Sequence, residues 1–342
     1  KTHFSDAKLQ FHLVCQVILR LDIAQESRRL LESEFLLRKQ LTMRTLGLAA
    51  VERARKRQAS RITWLKAGDA HTTFFQAKIN SRRRKNFIHS LQTDTITATA
   101  HEDKASAIHN HFSNLLGNKE NRGGTLNWDE LDMPTLQNEG LDNPFSAQEV
   151  WAAIQASPAE KAPGPDVFSG TFYRSCWATI KDNIMAVFDS FYRLADGNFA
   201  ELNTTMIALL PKKDGATRIT DFRPISLIHS VVKLISKVLT LRLSAALDGV
   251  ISQAQTAFQR GKCIHDSFQY VRGCVRMLHK EKKQALPFKL DFARAFDSVS
   301  WAYLIELLWQ MGFSQRWRNW ISLLLSSSSS SCLLNGMQEP SF

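Results

Sequence analysis

The run Phe288-Lys289-Leu290-Asp291-Phe292 alternates apolar and polar positions up to a carboxylate, and a further aromatic, Phe296, follows five positions after Asp291. Metal-assisted phosphoryl transfer needs two divalent ions about 4 Å apart, held by carboxylates on a rigid element rather than a loose loop. Asp291, at the end of a β-type run, has the chemistry and the placement for one such ligand. The same pattern also fits an ordinary strand end ahead of a helix at 300–311. This segment alone leaves both readings open.

Three other segments precede it in order. Lys161-Ala162-Pro163-Gly164-Pro165-Asp166 is a stiff turn, because Pro fixes φ and Gly reaches conformations closed to other residues; a helical run at 172–194 follows. Two apolar runs, 207–210 and 219–227, flank Pro211-Lys212-Lys213-Asp214-Gly215. They predict a hairpin with Lys212, Lys213 and Arg218 at its tip and Arg223 just beyond, which is either a solvated basic turn or a cationic grip. Gln255-Thr256-Ala257-Phe258-Gln259-Arg260-Gly261-Lys262 leads into a helix start at Cys263-Ile264-His265-Asp266. Arg260, Gly261 and Lys262 there could offer charge and backbone N–H groups to a phosphate, or form a plain loop.

Taken together, KAPGPD (161–166), LLPKKDG (209–215), DFRPISL (221–227), QTAFQRGKCIHD (255–266) and FKLDFARAFDSVSW (288–301) resemble the successive reverse-transcriptase motifs of non-LTR, LINE-type retrotransposons, the plant type in particular. The stretch 61–91, RITWLKAGDAHTTFFQAKINSRRRKNFIHSL, resembles what such polyproteins carry between endonuclease and polymerase. The resemblance implies an α+β fold: a basic, mainly helical N-terminal region and then part of a right-hand polymerase domain, its fingers and the start of its palm.

The resemblance also assigns roles. Asp291 is expected to be a catalytic, metal-ligating carboxylate for Mg²⁺, assisted by the backbone carbonyl of Phe292. Phe296 matches the aromatic that excludes a 2′-hydroxyl. Lys212, Lys213, Arg218 and Arg223 are expected around the triphosphate or template, and Gln255, Arg260, Gly261 and Lys262 along the template. The implied partners are an RNA template, a DNA primer and deoxynucleoside triphosphates; the implied setting is intracellular, in the nucleus or a cytoplasmic ribonucleoprotein. Two departures stand out. Val167 occupies a position where the family usually has Gly, and neither a Q-G-x-P-x-S-P motif nor a Y/F-A-D-D strand occurs in the 342 residues. One carboxylate strand cannot hold two ions, so the expectation is a polymerase piece, inactive alone, with a non-catalytic nucleic-acid-binding remnant as the alternative.

Charge placement points the same way. The net charge is +12, and residues 1–90 hold 19 Lys and Arg against 7 Asp and Glu, so the whole excess is N-terminal. Arg55, Lys56 and Arg57 form one cluster and Arg82, Arg83, Arg84 and Lys85 another, on either side of Trp64, Phe74 and Phe75. Cationic clusters flanking aromatics fit sequence-independent tracking of a phosphate backbone. The five cysteines include no C-x-x-C pair, no charged-then-apolar leader opens the stretch, and no apolar run approaches the ~20 residues needed to span a bilayer. His109-Asn110-His111 spells HNH, but two histidines two apart on one helix point to different sides, which argues against a nuclease centre.

Apolar spacing of three and four predicts two long helices over 6–60, further helices near 69–81, 102–116, 146–156 (opened by the capping box Ser146-Ala147-Gln148-Glu149), 172–194, 231–247, 267–280 and 300–311, and a last one capped by Ser314. Short strands are expected at 87–91 and 95–98, and the serine run 326–331 reads as part of a hairpin. Gly, Asn, Asp and Pro between 117 and 143 suggest a linker. The expected division is 1–117, a linker at 118–143, and a partial polymerase domain at 144–342.

The charge distribution generates a first prediction. The N-terminal region should bind RNA or DNA with affinity falling by roughly 0.7 to 0.9 log units per log unit of salt for each phosphate neutralised. Reversing charge at Arg82, Arg83 and Arg84 should flatten that dependence in an anisotropy titration; an unchanged slope would remove these residues from the interface.

Overall fold

The computed structural model describes residues 7–60, 73–93, 96–116, 124–136, 140–194, 199–247, 250–252, 254–257, 259, 261–286, 288–292 and 299–342. The chain divides into two compact units, 1–87 and 88–342.

In the first unit, α1 (Ala7–Ser27) and α2 (Glu32–Ser60) pack against each other, and α3 (Thr73–Asn86) follows. The two expected long helices are present. The bend between the first pair is held by a two-pronged Arg28–Glu34 contact at 2.6 and 2.7 Å, while Leu31 N–H donates to the same carboxylate at 2.9 Å. The Arg28 guanidinium and that N–H hold Glu34 down to about 2. Arg38 Nε reaches Asp22 at 2.6 Å and joins the helices farther along. Many of their apolar side chains stay exposed, among them Leu13, Leu19, Phe35, Met43 and Leu46.

The second unit is a four-stranded mixed sheet beside a helical core. β3 (Thr204–Pro211) lies at the centre, antiparallel to the edge strand β4 (Phe222–Ile228) and parallel to β5 (Ser329–Leu334), which pairs in turn with β6 (Met337–Ser341). Pro224 and Pro340 sit on the two edge strands, where a missing N–H is tolerated and discourages further pairing. Both expected hairpins form, and the second turns through Asn335 (φ 54°) and Gly336 (φ 95°), the Asn-Gly chemistry that tight hairpins favour. On one sheet face, Ile207, Leu209, Phe222, Cys332 and Leu334 pack with Ile88, Leu91, Ala98, Ile108 and Phe112. Burial there pushes the Cys332 thiol up to about 12, where it stays protonated and inert.

Of those last five residues, Ile88 lies just before β1 (Leu91–Gln92) and the other four come from β1, β2 (Thr97–Ala98) and α4 (His101–Leu116). The expected boundary at 117/118 therefore does not coincide with the division of the structure, which falls at 87/88. Polar contacts show why 88–116 belongs with the sheet. The Asn335 side chain accepts from Ile88 N–H at 2.8 Å and donates to Ile88 O at 3.1 Å, and buried Lys104 donates Nζ to Ile88 O and His89 O. Within the expected linker, Trp128 stacks on Tyr303 and donates Nε1 to Glu306 at 2.5 Å, so that part is packed as well.

The helical core is built from α5 (Ala147–Ala156), α6 (Gly170–Arg193), α8 (Ser230–Ala246) and α11 (Gln315–Ser326), with Val150, Ile154, Phe188, Ile235, Val238, Trp317 and Trp320 at its centre. A four-residue helix, α7 (Phe199–Leu202), precedes β3, while α9 (Ile264–Lys280) and α10 (Trp301–Gln310) lie between α8 and α11. Ser146 Oγ caps α5 by accepting from Glu149 N–H at 3.2 Å. Glu149 does not complete a capping box. Its carboxylate takes both prongs of Arg242, at 2.5 and 2.8 Å, while Arg242 also donates to the carbonyls of Leu141, Asn143 and Pro144 and lies over the Phe145 ring. With its bonds divided between one carboxylate and three backbone carbonyls, this arginine fastens the approach to α5 onto α8.

Val167 explains its own oddity. Its φ is 63°, in the left-handed region where a β-branched side chain is crowded, and its N–H closes a turn onto Gly164 O at 3.0 Å. The turn survives with the wrong residue for it. Val167→Gly should therefore raise unfolding free energy by about 1 kcal/mol, strain relief outweighing the added freedom of the unfolded chain. A higher urea midpoint would confirm this; an unchanged or lower one would mean the turn stores no strain.

Candidate nucleic-acid interface

The hairpin β3–β4 presents the first group of predicted residues. Its register pairs Leu210 with Arg223 and Pro211 with Phe222, leaving Lys212 to Asp221 as the turn. Lys212, Lys213, Arg218 and Arg223 are all exposed. Two of them also hold the tip together. Lys212 donates Nζ to Thr220 O at 2.7 Å, and Lys213 pairs with Asp221 at 2.9 Å. Lys213 pulls the Asp221 carboxyl below its ordinary value, helped by the Arg218 N–H. The tip is braced from outside as well: Gln92 N–H donates to Thr217 O at 2.8 Å, and Thr217 Oγ1 donates to the Gln92 side chain at 3.1 Å. Residues 88–92 thus grip both hairpin turns of the sheet.

The KAPGPD loop turns out to be a fastener rather than a free turn. Asp166 Oδ2 accepts from Ser230 N–H at 2.6 Å and from the Ser230 hydroxyl, so its charge sits at the N-terminus of α8. The Ser230 hydroxyl spends its only proton on Asp166, so the 2.8 Å contact with Tyr173 has the phenol as donor. Burial, with the Asp166 charge adding to it, raises the Tyr173 pKa. Gly164 lies so close to the end of β4 that an added Cβ would fall 2.0 Å from Ile228 O, so only glycine permits this approach. Sequence reasoning missed the role of Asp166; the Gly-Pro-Asp spacing was its one available signal.

In the loop after α8, Lys262 Nζ donates to Gln255 O at 3.2 Å, and Gly261 takes φ 73°. Asp266 accepts from Cys263 N–H at 2.9 Å and so caps α9. Arg260 and Phe258 lie outside the described residues. So does Phe296, with Asp297. Arg82, Arg83, Arg84 and Lys85 occupy the last turns of α3, where cations suit the helix dipole; Arg55, Lys56 and Arg57 lie late on α2, with their side chains outside the described set.

Asp291 departs from expectation. Residues 288–292 form no strand: Phe288, Leu290 and Phe292 are 80%, 65% and 75% exposed. The alternating pattern is that of a strand, but a strand exists only by pairing, and among the described residues nothing pairs with this one. Among the described residues there is also no group of three His, Cys, Asp or Glu able to hold a metal ion. The described residues by themselves do not make a Mg²⁺ site. His109 and His111 meet aromatic rings, Phe342 and Phe112.

Residues 210–340 match the family described as reverse transcriptase (RNA-dependent DNA polymerase). The chain carries a reverse-transcriptase segment. Similar proteins include the transposon TX1 uncharacterized 149 kDa protein of Xenopus laevis, 26% identical over 59% of this chain and 15% of its own length. The Pol polyprotein from type-1 retrotransposable element R1 of Bradysia coprophila is 27% identical over 52% of this chain and 18% of its own. That from type-2 element R2DM of Drosophila melanogaster is 28% identical over 50% and 16%. The chain thus spans less than a fifth of the length of these relatives. The matching segment contains the hairpin tip, the 255–262 loop and Asp291, and these three relatives carry transposon or retrotransposable-element names. Among the described residues no helix is long and apolar enough to cross a membrane.

The Lys213–Asp221 pair gives a pH prediction. A carboxyl held below its ordinary value stabilises the folded tip fully above pH ~4 and loses that effect as pH falls through the folded value. In Lys213→Gln, the Asp221 carboxyl carbon should titrate at higher pH than in the unaltered chain. An unmoved NMR titration curve would show that Lys213 does not hold it.

Proposed function

We propose that this chain is the template- and nucleotide-gripping part of an RNA-directed DNA polymerase, working within a longer element-encoded protein. The observation that carries this reading is the braced β3–β4 hairpin, whose exposed cations fall inside the segment matching the reverse-transcriptase family. In it, Lys212, Lys213, Arg218 and Arg223 attract the triphosphate or the template phosphates, arginine by two-pronged bonding and lysine as a point charge. Gln255, Arg260, Gly261 and Lys262 line the template. Asp291 is the metal-ligating carboxylate, the Phe292 carbonyl helps it, and Phe296 is the steric gate against ribonucleotides. Template RNA, primer DNA, deoxynucleoside triphosphates and Mg²⁺ belong to the complete enzyme, in an intracellular ribonucleoprotein.

A second reading, a nucleic-acid-binding remnant without catalysis, is favoured by the unpaired Asp291 segment and by the strained Val167. The two part company in a chain continued through a Y/F-A-D-D strand. There Asp291→Asn should abolish primer extension with template binding nearly intact, and Phe296→Ala should admit ribonucleotides. Extension by the Asp291 variant at the unaltered rate would overturn the carboxylate assignment, and a continued chain that binds but never extends would favour the remnant.

A further inference from the structure

The polar flank of α9 is a cationic stripe that none of the assigned roles uses. At about 3.6 residues per turn, Ile264, Phe268, Val271 and Val275 fall on one side of the helix, and Arg272, Arg276 and Lys280 follow one another along an adjoining flank. All seven are exposed. Successive cations on the stripe lie ~6 Å of helical rise apart. The acids at the helix ends are engaged elsewhere, Asp266 with the Cys263 N–H and Glu281 with Lys283 at 2.8 Å. Among the described residues Arg272, Arg276 and Lys280 form no ion pair. Three unneutralised cations in a row, with no carboxylate interposed, are complementary to a polyanion of regular charge spacing.

We infer that this flank of α9 contacts the phosphate backbone of the nucleic acid, extending the grip begun at Lys262, which lies one residue before the Cys263 that opens the helix. The inference rests on the polymerase reading for its choice of polyanion. A helix with apolar and basic sides could also lie on an anionic membrane, but its place inside the reverse-transcriptase segment favours nucleic acid. Covering the apolar side with protein would leave the basic flank at the rim, open to the partner.

The test titrates the full 342-residue chain with an RNA template annealed to a DNA primer, by fluorescence anisotropy at several KCl concentrations. Arg272→Gln with Arg276→Gln should reduce the slope of log affinity against log salt by about 1.4 to 1.8, two phosphates' worth. The paired Lys variants should restore it, and Lys181→Gln with Lys237→Gln, an equal loss of charge elsewhere, should leave it alone. An unchanged slope in the double Gln variant overturns the inference while the polymerase reading stands. Failure of the unaltered chain to bind the hybrid would strike the reading itself. Binding to vesicles containing phosphatidylserine that is lost in the double Gln variant, with hybrid binding intact, would assign the flank to membranes and overturn it too.

Discussion

The second unit depends on one carboxylate. Asp166 sits where β4 ends and α8 begins, accepting from the Ser230 N–H and hydroxyl. A helix start leaves N–H groups without partners, and a negative charge there answers both the missing bond and the dipole. Through Ser230 the same carboxylate reaches Tyr173 on α6, so a single cluster ties the sheet to the helical core. Gly164 makes the approach possible by leaving room for Ile228 O. A motif that reads as a plain turn thereby fixes the direction in which the β3–β4 hairpin leaves the core.

The other end of that hairpin is fixed by a segment far upstream. Ile88 is held by Asn335 and Lys104, and Gln92 by Thr217, so a few residues of backbone span from the β5–β6 turn to the β3–β4 turn. The cations at the tip are consequently presented on a supported turn. Pre-organised charge costs less to engage than charge on a mobile loop. The segment 88–116 is thus part of the platform on which the hairpin stands.

Helices were legible because their signals are local. The apolar spacing of α1, α2, α4, α6, α8 and α9 and the Ser146 and Ser314 caps are all short-range, and each appears where expected. Long-range features were not legible. Nothing local to Asn335 names Ile88 as its partner, and the Ser-Ala-Gln-Glu box predicts a reciprocal Glu149 cap that Arg242, 93 positions on, takes over. The Asp291 run shows the opposite limit: its period-two pattern is correct for a strand, yet pattern cannot supply the neighbour that a strand requires. Val167 was visible as an anomaly, and its positive φ gives the physical reason that glycine suits the position.

The account turns on the claim that the hairpin tip and the loop leading into α9 face nucleic acid, while the sheet centre and helical core serve as support. Hydrogen exchange of the full chain, free and with a primed RNA template, tests it most directly. The amides of Ile207, Leu209 and Val238 should exchange slowly in both states, and binding should slow exchange at 212–221 and 255–262 in the second unit. Protection that instead appeared on α5 and α6, with the tip and loop unchanged, would contradict the account.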